Sequence, residues 1–125
     1  GVVVMEYEDE SLDHGTRKKF GALETIRALA PEYASAKAQR SHIELYRKSL
    51  KALLMMEAEA DYGIKSAAMQ ERYAYAHEKY VQLLDGLKVA VESEEHLRWQ
   101  IESAKMACSI WQTKQANARA EVRGV

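Results

Sequence analysis

The sequence predicts an all-α protein: a long antiparallel helical hairpin with a short N-terminal helix, coiled-coil-like and oligomerising. Three observations carry this. The 125 residues are rich in Ala, Glu, Lys, Leu, Arg and Gln, with one proline and six glycines, the composition of long helices. Nothing breaks helix between Pro31 and Asp61, and only Gly86 interrupts the run from Glu78 to Val122. Finally, Leu87, Glu94, Ile101, Cys108, Gln115 and Val122 fall seven apart, and Ala90, Leu97, Ala104, Trp111 and Ala118 fall three after the first five. Together they form a heptad seam.

Taken in order, residues 1–15 read as an acidic, flexible arm. They hold Glu6, Glu8, Asp9, Glu10 and Asp13 with no Lys or Arg, whereas the rest of the chain carries a net charge of +4. An acidic arm on a mildly basic body is a real asymmetry in a chain of net charge −1. Residues 16–125 read as one helical domain. Thr16 is the expected N-cap of a helix over 17–29. Arg17, Lys18 and Lys19 then sit in its first turn, the unfavourable end of the helix dipole. Pro31 either opens a new helix or kinks a continuous one. Gly63 suits the left-handed residue that ends the next helix.

Ser66 is the expected cap of a short helix through AAMQERYAYA, with an interruption at His77 or beside it. The segment from Glu78 to Val122 would span about 65 Å as helix. That is too long for a compact globule of this size, so a hairpin packed against other copies is expected. In the earlier helix, Ile43, Tyr46, Leu50, Leu53 and Glu57 give the matching seam. Glu94 and Gln115 are polar within the long seam, a device that fixes register or oligomer state at a cost in stability.

IELYRKSLKALLMMEAEADYG, from Ile43 to Gly63, contains the first candidate site. On a helical wheel Ala36, Ile43, Tyr46, Leu50, Leu53 and Leu54 share one sector, while Lys37, Arg40, Arg47, Lys48 and Lys51 share the adjoining one. Such a basic stripe is either a solvated edge beside a core or a track for a phosphate backbone. Leu45 and Met56 lie outside both sectors and predict a further contact surface, most simply with another copy. QERYAYAHEKY is the second candidate. Arg72, Tyr73 and Tyr75 mix a cation with aromatic rings that either stack bases or simply pack where helices meet. For an oligomer interface the expected residues are Leu45 and Met56, with Leu97, Ile101, Cys108 and Trp111 of the heptad seam.

Other chemistry finds little footing. The single cysteine, Cys108, permits no internal disulfide and reads as core. His14, His42, His77 and His96 include no pair four apart. Glu92 and His96 lie one turn apart, but the Glu-x-x-His spacing of di-iron bundles would need Glu where Ser93 stands. No Gly-rich phosphate loop or nucleophile elbow occurs. The expectation is therefore a non-enzyme with no cofactor and no metal. No stretch approaches the ~18 apolar residues of a membrane span, and Val2 to Met5 is too short for a signal peptide. A cytoplasmic protein is expected.

Tyr33 and Ala36 near a helix start, LYRKSLK from Leu45 to Lys51, a tyrosine-bearing turn, and a long C-terminal helix with Trp99, Trp111 and a cysteine form a pattern. Over roughly residues 30–120 it resembles the UvsY-type recombination mediators of T-even-type bacteriophages. The resemblance implies a phage protein of the host cell cytoplasm that binds single-stranded DNA without sequence preference and forms ring-like homo-oligomers. It also implies contacts with the phage recombinase and single-strand binding protein, and help in loading the recombinase. The DNA-binding positions it implies are Tyr46, Arg47, Lys48 and Lys51. The chain departs from the pattern in its sparser basic charge and its acidic arm. A rival reading is a helical protein–protein module without DNA contact, such as an inhibitor of a host nuclease or defence complex, whose acidic arm mimics nucleic acid. A structural coiled coil without a ligand is the third.

Overall fold

In the computed structural model, which describes residues 13–124, the chain forms three α-helices: α1 His14–Tyr62, α2 Ala67–Ala76 and α3 Glu78–Val122. Among the described residues there is no strand. No helix there is long and apolar enough to cross a membrane. Residues 1–12 of the expected acidic arm lie outside the described residues. The residues cluster into two compact units, one from residues 13–33 with 96–124 and the other from Ala34–Glu95.

The separate helix over 17–29 is not formed. α1 starts at His14 and runs unbroken through Pro31 for 49 residues. Pro31 removes one helical donor and crowds the preceding turn, but it faces solvent while Leu29 and Tyr33 beside it are half-buried. The packed side holds the helix through the lost bond. The expected cap also moves. Asp13, not Thr16, caps α1, accepting from the Thr16 amide and the Thr16 hydroxyl at 2.8 Å each. These bonds, the amide first, with help from the Gly15 amide, hold the Asp13 carboxyl below its usual range. Its contribution is therefore present above the ordinary carboxylate range and lost as pH falls through the lowered value.

The other local expectations hold. Gly63 takes φ +63° and its amide reaches the Glu59 carbonyl at 3.1 Å, the left-handed helix stop. Ser66 accepts from the Met69 amide at 3.1 Å to cap α2. His77 ends α2 and starts α3. Its amide donates to Ala74, its carbonyl accepts from Tyr80 and Val81, and its Nδ1 accepts from the Lys79 amide at 3.0 Å. One residue thus serves two helix ends, so the break needs no loop.

In the Ala34–Glu95 unit, Leu50, Leu54, Ala74 and Tyr80 form the buried cluster, with Met55, Tyr73 and Leu83 packed on it. Along α3 the buried and half-buried positions follow the expected heptads and extend them back to Tyr80 and Leu83. In the other unit they continue through Leu97, Ile101, Ala104, Cys108, Trp111 and Gln115, but Ala118 and Val122 are exposed. Trp111 already meets Gly15 and Lys19, at the first turns of α1. The last heptad has no helix opposite it among the described residues.

The α1 register differs from expectation by one position. Tyr46 and Leu53 are 45% and 54% exposed, while Leu54 is only 4% exposed and Arg47 is half-buried. The inward positions are Ala36, Arg40, Ile43, Arg47, Leu50, Leu54 and Glu57, again three and four apart. Hydrophobicity alone favours Tyr46 and Leu53 for the inside, yet two arginines hold that line. Leu54→Ala should therefore cost about 2–5 kcal/mol, and Leu53→Ala no more than about 0.5 kcal/mol, measured by urea unfolding. Equal costs would overturn the register.

Candidate nucleic-acid interface

The expected basic stripe divides on folding. Arg40 lies on the inward line of α1 and faces Glu94, itself buried on the inward line of α3. Nε and NH2 of Arg40 donate to the two Glu94 oxygens at 2.6 and 2.9 Å, and NH1 donates to Glu44 at 3.0 Å. This fork geometry suits a guanidinium and a carboxylate. The two carboxylates, Glu94 first, push the Arg40 pKa upward. Arg40 is therefore committed to the protein's interior and offers little to a phosphate.

Lys51 is also partnered, but at the surface. Its ammonium is 3.0 Å from Glu71 and 5.0 Å from the centroid of the Tyr75 ring. The Tyr75 phenol and then Glu71 raise the Lys51 pKa. Glu71 and Tyr75 are one turn apart on α2, so that helix brings both against α1 through Lys51. Tyr75 remains 47% exposed and packs edge-on to Tyr80 at 5.2 Å. Among the described residues Lys37, Arg47 and Lys48 make no ion pair; Lys37 and Lys48 are exposed and Arg47 is half-buried. Arg72 is exposed on α2, with only a long contact of 4.0 Å to the Met69 sulfur.

The remaining tyrosines are turned to other work. Tyr73 donates its hydroxyl to Glu57 at 2.7 Å and packs against Tyr62 and His77. Glu57, with Tyr62 adding to it, pushes the Tyr73 pKa well above the ordinary phenol value. His77 Nε2 stands 3.5 Å from the same carboxylate. With Nδ1 accepting from Lys79, the ring proton of the neutral form belongs on Nε2, facing Glu57. Tyr46 lies on the flank of α1 away from Lys48 and Lys51, stacked at 6.4 Å on His42. The structure thus brings Arg47, Lys48, Lys51 and Tyr75 to one side and leaves Tyr46 on the other.

Of the expected interface residues, Leu45 and Met56 are 67% and 65% exposed. Leu97, Cys108 and Trp111 are half-buried and Ile101 is buried within the chain's own packing. Lys19, in the second turn of α1 because the helix starts at His14, holds its ammonium 3.9 Å over the Trp111 ring, a cation–π contact. No group of three or more His, Cys, Asp or Glu among the described residues is arranged to hold a metal ion. The sequence reading missed the acids that neutralise the stripe: Glu94 for Arg40 and Glu71 for Lys51. The signal was present for the first, since Glu94 is the charged residue of the α3 seam and needs a cation opposite.

No protein-family model, curated protein or solved structure matches the chain.

Two outcomes check this geometry. Replacing Glu94 alone by Leu leaves the inward Arg40 charge with Glu44 as its partner and should lower the Tm by several degrees, whereas Arg40→Leu with Glu94→Leu should recover most of the loss. A double variant as unstable as the single would refute the pairing. For Tyr73, the folded state holds its proton to higher pH than the unfolded chain. That stabilisation is complete below about pH 10 and is lost as pH rises through the folded value. Ultraviolet titration should show one late-ionising tyrosine that disappears in Tyr73→Phe and moves earlier in Glu57→Gln.

Proposed function

We propose that the chain is a non-enzymatic accessory protein of phage recombination that binds single-stranded DNA without sequence preference. The observation that carries this reading is the contact of Lys51 with Tyr75. It joins the two stretches picked out independently in the sequence, the basic stripe of α1 and the aromatic stretch of α2, into one surface. Cations beside a half-exposed ring are what a sequence-tolerant single-strand binder uses: charge follows the backbone while the ring stacks a base. Lys37, Lys48 and Arg72 supply the exposed charge, with the half-buried Arg47 beside them, and Tyr75 supplies the platform. Arg40 and Tyr73 support the surface through Glu94 and Glu57 and do not touch the strand. Tyr46 stays outside this surface.

The architecture that goes with this reading is an antiparallel, coiled-coil-like pairing of α1 with α3 in a homo-oligomer of the host cytoplasm. The similarity to UvsY-type mediators adds the phage recombinase and the single-strand binding protein as partners. With few unpaired cations per chain, affinity depends on several chains acting along one strand, which multivalency provides.

A second reading, a helical protein–protein module, is favoured by the exposed Leu45, Leu53 and Met56. Removing residues 1–12, which spares the Asp13 cap and the start of α1, separates the two. A DNA binder should bind more tightly without that negative charge, and a nucleic-acid mimic should lose its protein partner.

Binding of a labelled oligonucleotide measured against salt tests the main proposal. Each cation that neutralises a phosphate contributes about −0.7 to the slope of log K on log salt for a single strand. Lys48→Ala should reduce the slope by about that amount per chain engaged, and Tyr75→Ala should lower affinity roughly 5- to 150-fold per stacked base with little change in slope. Absence of binding at low salt would refute it.

A further inference from the structure

Gly86 sits inside α3, where glycine costs about 0.5–1 kcal/mol relative to alanine. Nothing in the described chain needs it: a Cβ built there meets no heavy atom within 4 Å. Its missing side chain instead opens a notch in a groove between α1 and α3 of the Ala34–Glu95 unit. On one side of the notch, Ile43, Leu50 and Leu83 line about 390 Å³, with His42, Tyr46 and Lys79 around them. On the other, about 180 Å³ is lined by Ala36, Gln39, Val89, Ala90 and Ser93. Gly86 borders both, and neither holds an acid.

The flank of α1 beside this groove carries a ridge. Tyr46 is 45%, Leu53 54%, Met56 65% and Leu45 67% exposed. Helical spacing puts these four within a sector of about 100°, with Tyr46 and Leu53 beside the inward line and Met56 and Leu45 continuing the ridge towards the outer face of α1. Groove and ridge are therefore neighbours on one molecule, as a self-complementary pairing requires.

We infer that this face, with the Gly86 notch at its centre, is where a second copy of the chain docks, the ridge of each copy lying in the groove of the other. The pairing rests on the self-association proposed above and is independent of nucleic-acid binding. Area supports a second copy. The four ridge residues with Val89, itself 65% exposed, leave on the order of 500 Å² of apolar surface open, at the upper end for a lone monomer. With the other exposed groove residues, His42, Lys79, Gln82 and Gln39, this approaches the ~800 Å² per partner of a standard interface. Two-fold pairing covers both copies at once. Helix axes approach most closely where no side chain intervenes, which accounts for the glycine. The near-zero net charge, −1 per chain, opposes the pairing little.

Sedimentation of the full chain over a range of concentrations, with thermal melts, tests this. Gly86→Leu puts a side chain into the notch from a Cβ position with no heavy atom within 4 Å. It should weaken self-association roughly tenfold or more while the folded chain melts no lower than Gly86→Ala. Leu53→Glu, at an exposed position, should do the same by placing a charge in the interface. Lys48→Ala, on the other flank, should leave association unchanged. If the wild-type chain stays monomeric up to roughly 1 mM, both self-association and this face are refuted. If it associates and Gly86→Leu and Leu53→Glu associate equally well, the copies meet elsewhere and only this face is refuted.

Discussion

The Arg40–Glu94 pair is the constraint on which the Ala34–Glu95 unit turns. A carboxylate buried on the inward line of α3 is tolerable only with a cation and hydrogen bonds to match. Arg40 supplies both through a two-pronged contact. Once Arg40 faces inward, helical spacing decides the rest of α1. Arg47, Leu50 and Leu54 follow it in, and Tyr46 and Leu53 are left outside. Two heptads on from Arg40 is Leu54, and two heptads before Glu94 is Tyr80; both belong to the same buried cluster. A pairing made of charge therefore aligns a core made of hydrocarbon, and a slip of α1 would bury Lys or strand Glu94.

That alignment also sorts the surface. On one flank of α1 are Lys37, Lys48 and Lys51, with α2 contributing Glu71 and Tyr75 against Lys51. On the other are Tyr46, which lines the groove that Gly86 borders, then Leu53, Met56 and Leu45 towards the outer face. One flank offers charge with an aromatic platform and the other offers hydrocarbon. In the proposed reading, nucleic acid and a second chain engage different side chains of α1.

The junction of α2 with α3 shows how little chain this takes. His77 closes one helix and opens the next by itself, with its ring nitrogen capping α3 and its other nitrogen turned to Glu57. Because Glu57 also accepts from Tyr73, a single carboxylate of α1 holds both the body of α2 and its end. The placement of Tyr75 beside Lys51 depends on that anchor.

Much of this was legible in the residues. Ser66, Gly63 and His77 marked their helix ends, because capping and left-handed turns are decided by a few neighbouring atoms. The heptads of α3 were readable because their spacing persists over five repeats, although Val89, Trp99, Met106 and Ile110 lie off the seam and are exposed. The inward line of α1 was not, since Tyr46 and Leu53 are at least as apolar as Arg47 and Leu54, which displaced them, and only the helix opposite decides between them. The sequence points to Thr16 as the cap of α1, but the helix gains about one turn and Asp13 takes that place. The sequence by itself determined that the chain is helical and where two of its three helices end, because those are local energies. Which cations are paired inside and which stay available, and that Gly86 borders open space, only the tertiary structure decided, because each depends on what another helix places opposite.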